Sequence, residues 1–140
     1  KGLILQEGSG IAIISTGNVL PVAMECAHLL KKSNIGCRVI SLPTVKPLDT
    51  TLLAETIRAC QCLVTLEEHS LQGGLGGSIA EWLTEQPHQG TRLVRIGTPD
   101  RFLHQVGSQS YARQQCGLEP NHIVSRFLES SNQVNESATP

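Results

Sequence analysis

Aromatic side chains are scarce in this chain of 140 residues: one Trp, one Tyr and two Phe, or 3%. Such a surface has little with which to stack on nucleobases or sugar rings. An excess of charge of either sign is also missing, since 11 Lys and Arg oppose 12 Asp and Glu for a formal net charge of -1. That balance leaves no electrostatic footprint for nucleic acid or for an anionic membrane. No apolar run approaches the ~20 residues of a membrane span. No secretory signal pattern opens the chain, and a first residue of Lys1 reads as a processed product or a piece of something longer. The five cysteines (Cys26, Cys37, Cys60, Cys62, Cys116) contain no C-x-x-C pair, and the five histidines no H-x-x-x-H pair. Zinc-type spacing is therefore absent, and reduced, mostly buried thiols in a reducing, cytoplasmic setting are expected.

What is present is glycine, 13 residues of it, in a chain that is 39% hydrophobic and 16% charged. These proportions fit one globular domain with many tight turns. Leu3 to Gln6 and Ile11 to Thr16 are β-like runs separated by Glu7-Gly8-Ser9-Gly10, which reads as a hairpin. Val22, Ala23, Cys26, Ala27, Leu29 and Leu30 then recur at helical spacing, with Asn18 as a candidate cap and Pro21 in the first turn. Strands are expected at Cys37–Ser41, Leu63–Leu66 and Arg92–Ile96, and helices at about 50–59 and 74–85. Ser108 is positioned to cap a short helix that stops at Gly117, and Pro120 to open a last one. Beyond Glu129 the apolar periodicity ends, so residues 1–128 are expected to form the domain and 129–140 a disordered tail. Strands alternating with helices predict an α/β fold, with a mostly parallel five-stranded sheet whose first strand is antiparallel.

Ligands of open α/β sheets bind beyond the carboxyl ends of the parallel strands. The segment Glu67–Gly77 lies there. It holds Glu67, Glu68, His69 and the glycines Gly73, Gly74, Gly76 and Gly77 at the start of a helix, with Pro99, Asp100 and Arg101 on the neighbouring loop. Amides at a helix N-terminus attract anions, so a phosphate or carboxylate site is one reading. Close packing of a helix, strand or partner subunit against the glycines is the other. The known phosphate motifs do not match: Ile79 stands where G-x-G-x-x-G needs its last glycine, and no lysine follows Lys46 to complete a P-loop. Alternation along the strand sends Glu67 and His69 to one side and Glu68 to the other, which argues against a shared acid–base site. Cys62 and His69 are separated by roughly 20 Å of strand at ~3.3 Å per residue, too far for a thiol–imidazole pair.

Several segments in order resemble the C-terminal domain of the transketolase family. They are IAIISTG at Ile11–Gly17, EEH at Glu67–His69, GGLGG at Gly73–Gly77, GTPDRF at Gly97–Phe102 and YARQQCGLEPNHIV at Tyr111–Val124. The family includes transketolase, 1-deoxyxylulose-5-phosphate synthase and the beta subunits of 2-oxo-acid dehydrogenases, and the EEH and GTPDRF stretches look closer to transketolase than to a dehydrogenase subunit. The resemblance implies a three-layer α/β/α domain that supports assembly of an enzyme moving a two-carbon ketol unit between sugar phosphates. It implies a homodimer and, as partners, cofactor-binding domains or a subunit that carry thiamin diphosphate and Mg²⁺. The family's Gly-Asp-Gly motif is absent here, so neither cofactor nor catalytic residue is assigned to this chain. Under the resemblance Glu67, Glu68, His69, Gly73, Gly74, Gly76, Gly77, Pro99 and Asp100 become interface candidates. The alternative from the residues alone is a stand-alone regulatory domain that binds a small anion at the Gly73–Gly77 helix terminus.

Overall fold

A computed structural model describes residues 1–87, 90–100 and 107–136, with the side chains of 130–136 left aside. The described residues form five strands and five α-helices, alternating from β2 to β5: β1 (Leu3–Gln6), β2 (Gly10–Ser15), α1 (Leu20–Lys32), β3 (Cys37–Ser41), α2 (Thr50–Ala59), β4 (Cys60–Ser70), α3 (Leu75–Thr84), β5 (Arg92–Thr98), α4 (Gln109–Gln115) and α5 (Pro120–Glu136). They form one mixed sheet of order β1-β3-β2-β4-β5, in which only β1 is antiparallel to its neighbour.

The antiparallel first strand is as expected, but its partner is not. β1 does not form a hairpin with β2; it pairs with β3, Leu3 opposite Ser41 and Ile4 opposite Ile40. The reason lies in β2, whose Ala12, Ile13 and Ile14 are wholly buried. A strand apolar on both faces belongs in the middle of a parallel sheet, and both edges of β2 are taken by β3 and β4. The Glu7–Gly10 connection must therefore cross the start of β3. Gly8 and Gly36 permit this: a Cβ on Gly8 would run into the Cys37 carbonyl group, and one on Gly36 would come within 2.8 Å of the Ser9 carbonyl oxygen.

Each face of the sheet has its own core. Ile13, Val39, Val64 and Ile96 meet α1 and α5 through Ala23, Leu30, Ile123 and Phe127. Ala12, Ile14, Ile40 and Leu63 meet α2 and α3 through Leu53, Leu75 and Ile79. α2 starts at Thr50 as expected, whereas the start of α1 differs from the sequence reading. Asn18 does not cap α1; a short 3-10 turn at Gly17–Val19 leads into it, with Pro21 in the first turn. Asp49, which the periodicity did not single out, caps α2 by accepting from the Leu52 N–H at 3.2 Å, and its other oxygen accepts from the Gly2 N–H at 2.9 Å. Ser108 caps α4 as expected, accepting from Tyr111 N–H at 3.2 Å. α5 continues to Glu136, beyond the Glu129 at which its apolar periodicity ends.

Candidate functional site

The carboxyl end of β4 carries Glu67, Glu68 and His69 on alternating sides, as strand geometry requires. Glu67 turns inward and is 1% exposed. Its two carboxylate oxygens accept from the first two amides of α3, Leu75 N–H at 2.7 Å and Gly76 N–H at 2.8 Å. These are donors that a helix leaves unsatisfied, at the end where its dipole favours negative charge. The chain thus fills this anion position with its own side chain, and an external anion at the glycine turn is not favoured.

The glycines divide into distinct tasks. A Cβ on Gly74 would collide with the Glu67 carboxylate and come within 2.9 Å of His69 Nδ1. One on Gly76 would lie 2.7 Å from Thr65 Oγ1 and 3.1 Å from the Arg95 side chain. Both glycines let α3 settle on the sheet end. Gly73 supplies a left-handed turn at φ +74, and a Cβ on Gly77 would meet open space.

On the other face Glu68 pairs with Arg113 Nε and accepts from Gln109 Nε2 at 3.1 Å. Arg113 also donates to the Asn18 carbonyl oxygen at 2.9 Å. Arg113 and Gln109 were not identified from the sequence. The only available signal was an arginine on the capped helix that follows Ser108, because nothing local marks which carboxylate it meets. His69 is exposed, with Nδ1 at 2.9 Å from the Ser70 carbonyl oxygen. Gly73 and Asp100 are exposed, Gly77 and Pro99 half-buried, Gly74 and Gly76 buried. Arg101 lies outside the described residues. The structure therefore brings Glu67, His69 and Gly74 together and sends Glu68 elsewhere.

Two clefts flank this end of the sheet. One of about 510 Å³ is bordered by Leu71, Gly97, Pro99, Cys116 and His122. A smaller one of about 190 Å³ lies between α4 and the ends of β4 and β5. No group of three or more His, Cys, Asp or Glu able to hold a metal ion occurs among the described residues. With the α3 terminus occupied as well, the described residues do not fit a metal-bound diphosphate. All five cysteines are free, and Cys26, Cys37 and Cys60 are buried. Burial pushes the thiols of Cys26 and Cys37 from the ordinary 9.0 up to about 12, so neither is a nucleophile near neutrality. No described helix is long and apolar enough to cross a membrane.

Comparison with known proteins agrees with this architecture. The family model described as "Transketolase, C-terminal domain" matches residues 1–123. A 1-deoxy-D-xylulose-5-phosphate synthase of Halothermothrix orenii is 40% identical over 92% of this chain and 20% of its own length. The 1-deoxy-D-xylulose-5-phosphate synthase 1 of Geobacter sulfurreducens is 39% identical over 88% of this chain and 19% of its own. The chain thus spans about a fifth of the length of these relatives. Among solved structures, a split-gene transketolase described as an inactive beta4 tetramer superposes with a TM-score of 0.84 at 32% identity, covering 92% of this chain and 41% of that one. Transketolase of Campylobacter jejuni shares the fold, with a TM-score of 0.66 at 14% identity over 91% of this chain and 18% of its own. By fold, by sequence and by the extent of the match, the chain belongs to the transketolase C-terminal domain family.

Proposed function

We propose that this chain is the C-terminal assembly domain of a larger, cytoplasmic, thiamin-diphosphate-dependent enzyme of the transketolase and 1-deoxyxylulose-5-phosphate synthase type, which transfers a two-carbon unit. The observation that carries the reading is the match over residues 1–123 to a domain that makes up about a fifth of its relatives. The chemistry of the site is consistent with it. Glu67 accepts from two amides of α3 and Glu68 pairs with Arg113, so both carboxylates are engaged in holding elements of the domain together. Thiamin diphosphate and Mg²⁺ would be held by the remainder of the enzyme, which supplies the carbanion chemistry. This domain would contribute contacts to that remainder and to a second copy. His69, Gly73, Gly77, Pro99 and Asp100, which keep solvent exposure, are the members of the sequence-derived set that we place at such contacts.

The test has two arms. The isolated chain, given thiamin diphosphate, Mg²⁺, an aldose phosphate acceptor and either a ketose donor or pyruvate, is expected to show neither ketol transfer nor, from pyruvate with loss of CO₂, formation of 1-deoxyxylulose 5-phosphate; turnover with either donor would overturn the reading. Hydrogen exchange at rising protein concentration, or with the remainder of the enzyme added, is expected to slow at amides near His69 and Asp100. Unchanged exchange there would remove these residues from the interface.

A further inference from the structure

α4 differs from the other described helices in what holds it. α1 buries five side chains and α3 four residues, whereas α4 buries none. Little apolar area is lost when such a helix lifts, so hydrophobic burial resists its opening weakly. Polar ties from its Arg113 and Gln109 reach the sheet end. Arg113, midway along α4, pairs with Glu68 at the end of β4 and donates to the Asn18 carbonyl oxygen ahead of α1, and Gln109 adds a bond to Glu68. One side chain thus pins α4 to two separate connections. Below it the sheet end is not packed shut. The 190 Å³ cleft has Glu68 and Thr98 on one wall and Gln109, Ala112, Arg113 and Cys116 of α4 and its cap on the other. After α4 the backbone turns at Gly117 with φ +68, and α5 is fixed beyond it by the buried Ile123 and Phe127. α4 therefore has a defined downstream boundary.

We propose that α4 is a latched flap over the carboxyl ends of β4 and β5, which opens and closes as a unit on the Glu68–Arg113 pair while the sheet stays folded. Opening enlarges the cleft at the end of the sheet where α/β domains take their ligands, and frees Glu68, Thr98 and the Asn18 carbonyl. The proposal does not depend on the assembly role.

Native-state hydrogen exchange on the full chain tests it. In the wild type, the amides of Ala112 and Cys116 are expected to exchange through an opening insensitive to low denaturant, while those of α1 and β2 exchange only through denaturant-sensitive unfolding. Removing the charge-assisted bonds by Arg113→Ala is expected to speed α4 exchange about tenfold with α1 and β2 unchanged. Glu68→Gln, which keeps the side-chain shape, is expected to act in the same direction. The proposal is overturned if wild-type α4 amides share the denaturant dependence of α1, or if either variant leaves α4 exchange at the wild-type rate.

Discussion

Glu67 is the residue on which the site turns. Its carboxylate takes the two amides that open α3, and no water is available to replace it at 1% exposure. Glu67→Gln keeps the shape but turns one acceptor into a donor facing a donor, and a buried polar group left unsatisfied costs about 1–3 kcal/mol. Glu67→Ala adds a cavity and orphans both amides, so it should exceed that loss. Urea denaturation of the two variants checks the order. The cysteines give a second prediction at this scale. With their folded pKa pushed up to about 12 by burial, Cys26 and Cys37 stay protonated after the unfolded thiols ionise near 9.0. Their contribution to stability is complete below that lower value and is lost as pH rises through the window between the two. A thiol reagent at pH 8 should label Cys116 first and leave Cys26 and Cys37 unmodified until the protein unfolds, and denaturant midpoints should fall as pH is raised above 9.0. Much at this scale was legible beforehand. The opposite facing of Glu67 and Glu68 follows from the pleat, and buried thiols from composition. The inward hydrogen bonds of Glu67 were not, because "EEH" reads the same whether its first carboxylate faces water or a helix terminus.

Among the elements, β1 and α2 are linked through Asp49. It caps α2 and also receives the Gly2 N–H. The Gly2 bond first, then the Leu52 bond, hold the Asp49 carboxyl below its ordinary 3.8. A depressed carboxylate contributes stability that is present above the unfolded value and lost as pH falls through the folded one. Acid titration below 3.8 should therefore loosen β1 and the first turn of α2, seen as faster exchange at Leu52 and Leu53. Asp49→Ala should produce that loosening at neutral pH and flatten the acid dependence. The elements themselves were readable from their periods: apolar residues three and four apart in α1, continuous apolar runs in β2 and β4. Which strand lies beside which was not. A glycine-containing turn between two runs signals a hairpin locally, and only the demand of β2 for a neighbour on each side sends β1 across to β3.

For the whole molecule, β2 couples the two cores, because Ile13 faces one helical layer and Ile14 the other. Truncating either to Ala should cost about 2–5 kcal/mol. The lone Trp82 packs against the α2/α3 layer, so its fluorescence reports on that side alone. If the domain is one cooperative unit, Ile13→Ala on the far side should shift the fluorescence and circular-dichroism transitions together. Separated transitions would show two independently melting layers. The layered α/β architecture follows from the alternation of elements, and the family from the order of several short segments. What this chain contacts in a larger enzyme has no such signature, since an exposed His69 or Asp100 looks alike in water and at an interface.

The crossing of β1 to the sheet edge has a mechanical consequence. From Gly10 onward the parallel block β3-β2-β4-β5 is continuous in sequence, and β1 is attached outside it. A tension applied at the first residue is borne by the Gly2–Asp49 bond and by the pairing of Leu3 and Ile4 with β3 before it reaches β2. The edge strand would peel away first, its length then serving as slack, while the central strand remains clamped between two neighbours.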